Sequence, residues 1–425
     1  MAADLELSLS RAAQPVLHRR GSVGFRRISL AMFSAGLATF TTLYCVQALL
    51  PALAEQFRLS PAAASLAVSV STGALAVGVI PLTALSEALG RTPLMTVSLF
   101  SSAALGILAA LSPNFTVLLV LRALQGLALA GLQAVAMSYL AEELHRGSLG
   151  FSVGLFVAGN GIGGMTGRLV AALVDDVAGW RWALAVVGLV ALVCSVLFQL
   201  AIVPSAHFRP RQLRVRALAG SIGRALTDNG MLRLFAIGML AMGCFVTVYN
   251  YLGFRLLSAP FALSSSLVGL IFVVYLAGSC SSAAAGRLAD RFGRQRLLWP
   301  LAVVMLAGLA LMWPTNLAVV VVGLVILTAG FFAVHSMASS WVSARSRALG
   351  VQGAAVYLFL YYLGSSIGGS VGGIAFGDHG WSGVTWYTGA LTLVVVAVGV
   401  TLRKLAPISG ASVSGTSVSG ASRPG

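Results

Sequence analysis

The chain has 425 residues, 58% of them hydrophobic and 9% charged, with a mean hydropathy of +0.94. Water-soluble domains are about half apolar and a quarter charged, so a soluble globular protein is excluded and lipid must be part of the solvent. The net charge of +16 would point to nucleic acid in a soluble protein, but the placement of the cations along the chain argues for a membrane instead.

A polar, basic tail covers residues 1–29. Apolar runs of about 20 residues, the length that crosses a bilayer as a helix, then follow. They lie at 30–53, 64–85, 93–111, 115–140, 149–173, 182–203, 233–254, 266–286, 297–313, 317–338, 351–376 and 382–402. The first lacks a small-residue cleavage site, so it reads as a retained span rather than a signal peptide. A polar connection at 204–232, containing "HFRPRQLRVR", divides six spans from six, and a tail at 403–425 ends in "ISGASVSGTSVSGASRPG", expected to be disordered. With both termini cytoplasmic, 22 of the 27 basic residues fall in the tails and the even-numbered loops. That bias is the positive-inside rule and predicts the orientation. No nucleic-acid partner is expected. Cys45, Cys194, Cys244 and Cys280 stand inside spans without metal-ligand spacing and read as small hydrophobes.

The halves echo each other. Tyr44 pairs with Tyr249 and Gly159 with Gly364 at an offset of 205, Glu87 with Asp290 at 203, and Trp180 with Trp381 at 201. "SEALGR" matches "ADRFGR", "GNGIGG" matches "GSSIGG", and "GWRW" matches "GWSG". Four pairs in one order indicate a duplication, hence two parallel repeats about an axis along the membrane normal. The fold class is an all-α integral membrane protein, twelve helices in two pseudo-symmetric six-helix bundles.

The stretch "GRLADRFGRQR", Gly286 to Arg296, places four arginines and one acid between two apolar runs. With the span count and the duplication, it resembles the loop between the second and third helices of each half in the major facilitator superfamily. "FSAGLATF", "YCVQ", "GGMTGRL" and "SSWVSARSR" are similar to a group of bacterial inner-membrane efflux proteins within it. The resemblance implies secondary transport by alternating access, and loops that clamp the halves together on the cytoplasmic side.

The candidate residues follow in chain order. Tyr44 and Gln47 share a face of the first span, and Tyr249 with Asn250 occupy the repeated position in the seventh. Glu87, Gly90 and Arg91 form the first-half loop, where Thr83 and Ala88 replace the expected glycine and cation, so its clamp is expected to be weaker. Arg122 lies inside the fourth span; a buried guanidinium costs at least ~2.5–3.5 kcal/mol to insert and marks a cavity, a partner or an interface to which it snorkels. Gln133 lies close to its face. The resemblance links Arg122 to the arginine of drug–proton antiporters, although Ile326 stands at the matching place in the other half. "GNGIGG" formally matches a dinucleotide fingerprint, but its position mid-span rejects that reading. Small residues at helical spacing serve helix packing instead, with Asn160 as a cavity ligand.

In the second half, Gly286 permits close backbone packing and Gly293 supplies a positive-φ turn. Asp290, at a helix C-terminus, needs a cationic partner or another helix's positive end; by resemblance the fifth span, from near Leu149, provides it. Arg291 and Arg294 complete the loop. His335 is the intramembrane histidine, read either as a structural residue or as a proton carrier. Tyr357 and Tyr361 stand on one face of the eleventh span. No Asp or Glu lies deep in any span, which leaves Glu55, His335 and the loop acids as proton-coupling candidates. No Walker loop or H-E-x-x-H motif occurs, and no enzyme activity, metal or cofactor is expected. The leading expectation is proton-coupled efflux of a small organic solute, drug-like or sugar-like, by a monomer in the bacterial inner membrane. The second is an uptake symporter or facilitator of a small polar solute, and the third a non-transporting membrane receptor.

Overall fold

A computed structural model describes residues 17–208 and 215–403; the Ser/Gly-rich tail, most of the N-terminal tail and part of the central loop lie outside the described residues. The spanning helices are α1 Val23–Phe57, α2 Pro61–Leu89, α3 Arg91–Ala110, α4 Phe115–Glu143, α5 Arg146–Ala178, α6 Trp180–Ala201, α7 Asn229–Leu257, α8 Ser265–Phe292, α9 Arg294–Leu311 and α10 Leu317–Leu349. A further helix, Gly353–Leu402, is 50 residues long, but Gly380 breaks it with φ 57° and ψ −144°. Gly243 of α7 meets the Gly364 carbonyl and Gly368 on one side of that break and Leu391 on the other. The chain therefore doubles back at Gly380, giving α11 (353–379) and α12 (381–402) and twelve spans in all.

The ends follow local rules. Ser22, Ser60, Asn114, Asp228, Ser264 and Asn316 cap helix N-termini through side-chain oxygens, satisfying amides that have no intrahelical partner. Glycines with positive φ end α2 and α5 (Gly90, Gly179) and recur at Gly293 and Gly380, two turns repeated in both halves. Most helices run past their apolar windows because the polar ends stay helical outside the hydrocarbon. Two helices are imperfect inside it. α1 is interrupted at Cys45, and α8 passes through a 3-10 turn at Ile271–Val274. An amphipathic helix, Val215–Thr227, precedes α7, and Ser221 Oγ accepts from the Gln352 amide at the start of α11.

Glycine stripes set the tightest packing. A Cβ on Gly159, Gly163 or Gly167 would meet the backbone of Phe33, Leu37 or Thr41 on α1. A Cβ on Gly364 or Gly368 would likewise strike Met239 or Gly243 on α7. Thr41 Oγ1 donates to the Gly163 carbonyl at 3.2 Å and Thr247 Oγ1 to the Gly368 carbonyl at 2.8 Å. The "GNGIGG" and "GSSIGG" segments are thus a duplicated helix-packing device.

The two ends of the molecule differ. At the end away from the described N- and C-terminal segments, Ser266 on α8 donates to Asp176 on α5 at 2.6 Å, a Cβ on Gly269 would meet Ala172, and Pro51 lies beside Gly253. Nearer the middle, Ser366 on α11 donates to the Ser69 carbonyl on α2 at 2.7 Å. At the other, basic end a Cβ on Gly150 or Gly154 of α5, or on Gly286 of α8, would meet nothing within 4 Å. There the first half keeps its own apolar cluster around Phe25, Ile28, Met95, Tyr139 and Phe198, while a single cluster runs through both halves elsewhere.

Candidate functional site

A cavity of about 190 Å3 lies between the halves and is open at one side. On α5 the wall is formed by Val157, Asn160, Gly161 and Arg168, residues recurring at three- and four-residue steps and so on one helical face. The glycine stripe at Gly159, Gly163 and Gly167 presses the neighbouring face onto α1, which turns Arg168 inward. Across from it, Phe331, Phe332, His335, Ser336 and Ser339 form one face of α10.

Arg168 is 2% exposed. Its Nε donates to Gln47 Oε1 at 2.7 Å and its Nη1 to the Gly164 carbonyl at 2.5 Å, while Nη2 forms no hydrogen bond with a described residue. The guanidinium carbon lies 4.6 Å from the ring centre of Tyr275, 4.9 Å from Tyr44 and 5.3 Å from Phe272. Ring faces partly replace water around the cation. Gln47 Nε2 then donates to Asn250 Oδ1 at 2.7 Å, so a polar relay from α5 through α1 to α7 joins the halves. The Tyr44 hydroxyl lies 3.5 Å from Ser365 Oγ on α11. Asn160 faces the cavity with a buried Oδ1 that has no hydrogen-bond partner.

The second half contributes aromatic surface. Phe245 and Phe331 stack at 3.9 Å and 11°, with Tyr275 and Phe332 edge-on to Phe245. His335 is 4.4 Å from the Tyr361 ring, and its Nδ1 is 3.0 Å from the Tyr357 hydroxyl. His335 and Tyr361 line the cavity. Tyr357 stands behind them, and Tyr249 is buried with its hydroxyl 2.7 Å from Thr328 Oγ1.

Arg122 occupies a different environment. It is 1% exposed inside the first half. Its Nε donates to the Ala67 carbonyl at 3.1 Å, Nη1 to the Thr42 carbonyl at 2.9 Å and to Gln125 Oε1, and Nη2 to the Leu43 carbonyl at 2.6 Å. Those carbonyls of α1 sit at its interruption, where the regular hydrogen-bond ladder fails. Gln133, predicted to share its face, makes no bond to it and keeps a buried, unpartnered Nε2. Arg122 therefore braces a helix break, whereas Arg168 borders open space. Sequence reasoning passed over Arg168, although it carries the same signal as Arg122, a cation inside an apolar run. Its counterpart in the repeat, Gly373, lacks a side chain altogether.

At the basic end, Arg91 pairs with Glu142 at 2.8 Å and Arg345 with Asp228 at 2.6 Å, each within one half. The two Arg345 N–H donors hold the Asp228 carboxyl below the usual carboxylate range. Asp290 is exposed, and neither it nor Glu87 forms an ion pair or hydrogen bond with a described residue. The expected contact of Asp290 with the start of α5 is absent from this conformation, in which the helices stand apart at that end. Gly90 and Gly293 each occupy a positive-φ turn (95° and 82°). Gly286, expected to allow close backbone packing, instead sits in open space because α8 has no neighbour within 4 Å of a Cβ there, and Arg291 and Arg294 follow it in the second loop.

The comparisons agree with this architecture. The Major Facilitator Superfamily model matches residues 30–369 and 256–419. The inner membrane transport protein YnfM of Escherichia coli (strain K12) is 42% identical over 386 residues, 91% of this chain and 93% of that protein. The MFS-type transporter YybF of Bacillus subtilis (strain 168) is 40% identical over 378 residues, 89% and 94% of the two chains. Among solved structures, a bacterial homologue of the human lysosomal transporter Spinster, inward-facing and occupied, aligns with a TM-score of 0.74 at 14% identity, covering 90% of this chain and 97% of that one. Duplicated six-helix halves around a central cavity, a family match along nearly the whole chain and transporter relatives of the same length lead to one conclusion: the chain belongs to the major facilitator superfamily of membrane transporters.

Proposed function

We propose that this chain is a secondary active carrier that moves a small organic solute across the bacterial inner membrane by alternating access. The halves at 30–203 and 233–402 would rock as units about the central site. The supporting observation is the cavity between them, walled off at one end by α1, α2, α5, α7, α8 and α11, while at the other the glycines Gly150, Gly154 and Gly286 meet no neighbour among the described residues. With the termini in the cytoplasm, as the basic loops favour, this conformation is open inward, a state that carriers of either direction pass through. The proposed direction is efflux, driven by protons moving the other way, as the resemblance to bacterial efflux proteins implies, with a monomer as the working unit. His335 is the titratable imidazole on the cavity wall, the kind of group that such coupling needs.

Inside-out vesicles test the proposal. A panel of labelled organic solutes should include at least one that accumulates when a proton gradient is imposed, and the accumulation should vanish when the gradient collapses. Vesicles that move none of the panel faster than protein-free controls would overturn it. One observation favours a second reading, an exchanger or facilitator without proton coupling: no Asp or Glu lines the cavity. Solute exchange that ignores the proton gradient would select that reading.

A further inference from the structure

We propose that the transported solute is an organic anion with an apolar body about the size of one aromatic ring, and that Arg168 binds its carboxylate or sulfonate. The inference rests on the carrier reading and adds the chemical class of its cargo. A guanidinium stays protonated in proteins, so the charge is permanent. Here it is nearly enclosed, and its bonding partners are an amide oxygen and a backbone carbonyl. The ion pairs of the described chain lie elsewhere, at the basic end, and no carboxylate lines the cavity. A cation removed from water is stabilised by opposite charge and by filled hydrogen-bond donors. Nη2 has neither, which an incoming anion would supply with a charge-assisted bond.

The rest of the cavity limits the body of that anion. Phe40, Phe245, Phe331 and Phe332 give it apolar walls, and the roughly 190 Å3 of space accommodates a body of one aromatic ring. Asn160 and the serines of α10 offer a few neutral polar contacts at the open side. A cationic drug would be repelled by a guanidinium at short range in a medium of low dielectric. The drug-like class therefore narrows to its anionic members, and a neutral sugar would leave the charge uncompensated. Fold symmetry does not demand the cation, since Gly373 occupies the matching position.

The purified full chain in detergent tests this with three probes of similar shape: benzenesulfonate, benzenesulfonamide and phenyltrimethylammonium. Equilibrium binding should rank the anion first, with the neutral amide about tenfold or more weaker, as loss of a charged hydrogen-bond partner predicts, and the cation not bound. Arg168→Gln should erase the preference, and Arg168→Lys should retain part of it while losing the planar fork. Comparable or tighter binding of the amide or the cation to the unmodified protein would overturn the proposal, without reliance on any variant. So would an unchanged preference in a folded Arg168→Gln protein. Exchange of labelled benzenesulfonate across proteoliposomes separates the two claims. Movement of only the amide or the cation keeps the carrier and removes the anion. Selective anion binding with no movement of any probe keeps the site and removes the carrier.

Discussion

Arg122 and Arg168 are both almost fully enclosed within spans of the same half, and their surroundings differ. Around Arg122, three backbone carbonyls and a glutamine oxygen engage all three nitrogens. Around Arg168, two acceptors and three ring faces leave one nitrogen without a hydrogen bond, beside a cavity. The number of donors that the fold itself satisfies separates a brace from a binding group. The same distinction holds among the carboxylates of the basic end. Asp228 is held by two bonds from Arg345 and also caps α7 through the Met231 amide; Asp290 has no partner among the described residues.

The largest expected effect tests the open member of the first pair. Arg168→Gln should reduce solute transport in vesicles by about a hundredfold, the range lost when a charged partner is removed from a buried site, at unchanged membrane insertion. Normal transport by that variant would break the contrast at once. For the closed member the loss should appear in stability. Arg122→Ala leaves buried carbonyls of Thr42, Leu43 and Ala67 without these donors and should cost about 1–3 kcal/mol for each group left unsatisfied, read as a lower thermal transition in detergent. An Arg122→Ala protein of normal stability but with no uphill transport would exchange the two roles and restore Arg122 as a coupling residue.

Asp228 gives a smaller, pH-dependent effect. Its carboxyl titrates below the usual range in the folded chain, so its stabilisation is fully present above the unfolded value and is lost as pH falls through the folded one. Asp228→Asn should lower stability by about 1 kcal/mol near neutral pH, as expected for a partly exposed ion pair, since asparagine keeps the helix cap. The difference from the unmodified protein should close in acid. A difference that persists in acid would mean that the carboxylate charge is not the cause. The smallest stability effect belongs to Asp290→Asn, near zero in this conformation because no bond is lost. If Asp290 latches onto α5 when the basic end closes, turnover should nevertheless fall by more than in Glu87→Gln, whose loop lacks a glycine and a cation. Equal turnover of the two variants at matched expression would remove the latch.

Much of this was legible in the sequence. Lipid-length apolar runs leave the backbone no alternative to helix in a bilayer, so the spans followed from hydropathy alone. The internal repeat predicted paired halves, and its glycines marked both the helix contacts at Gly159 and Gly364 and the turns at Gly90 and Gly293. Charge in an apolar run is rare at any depth, so Arg122 and Arg168 carried the same signal in the sequence, although only Arg122 was singled out. Which cation faces the cavity was decided only by the tertiary structure. Periodicity places a side chain on a face of its own helix but does not say what that face meets. Packing of α5 against α1 through Gly159, Gly163 and Gly167 turned Arg168 toward the other half, and the interruption at Cys45 gave Arg122 carbonyls to hold. Those outcomes depend on helix rotation and on freed backbone groups several helices apart, properties that no local stretch of sequence contains.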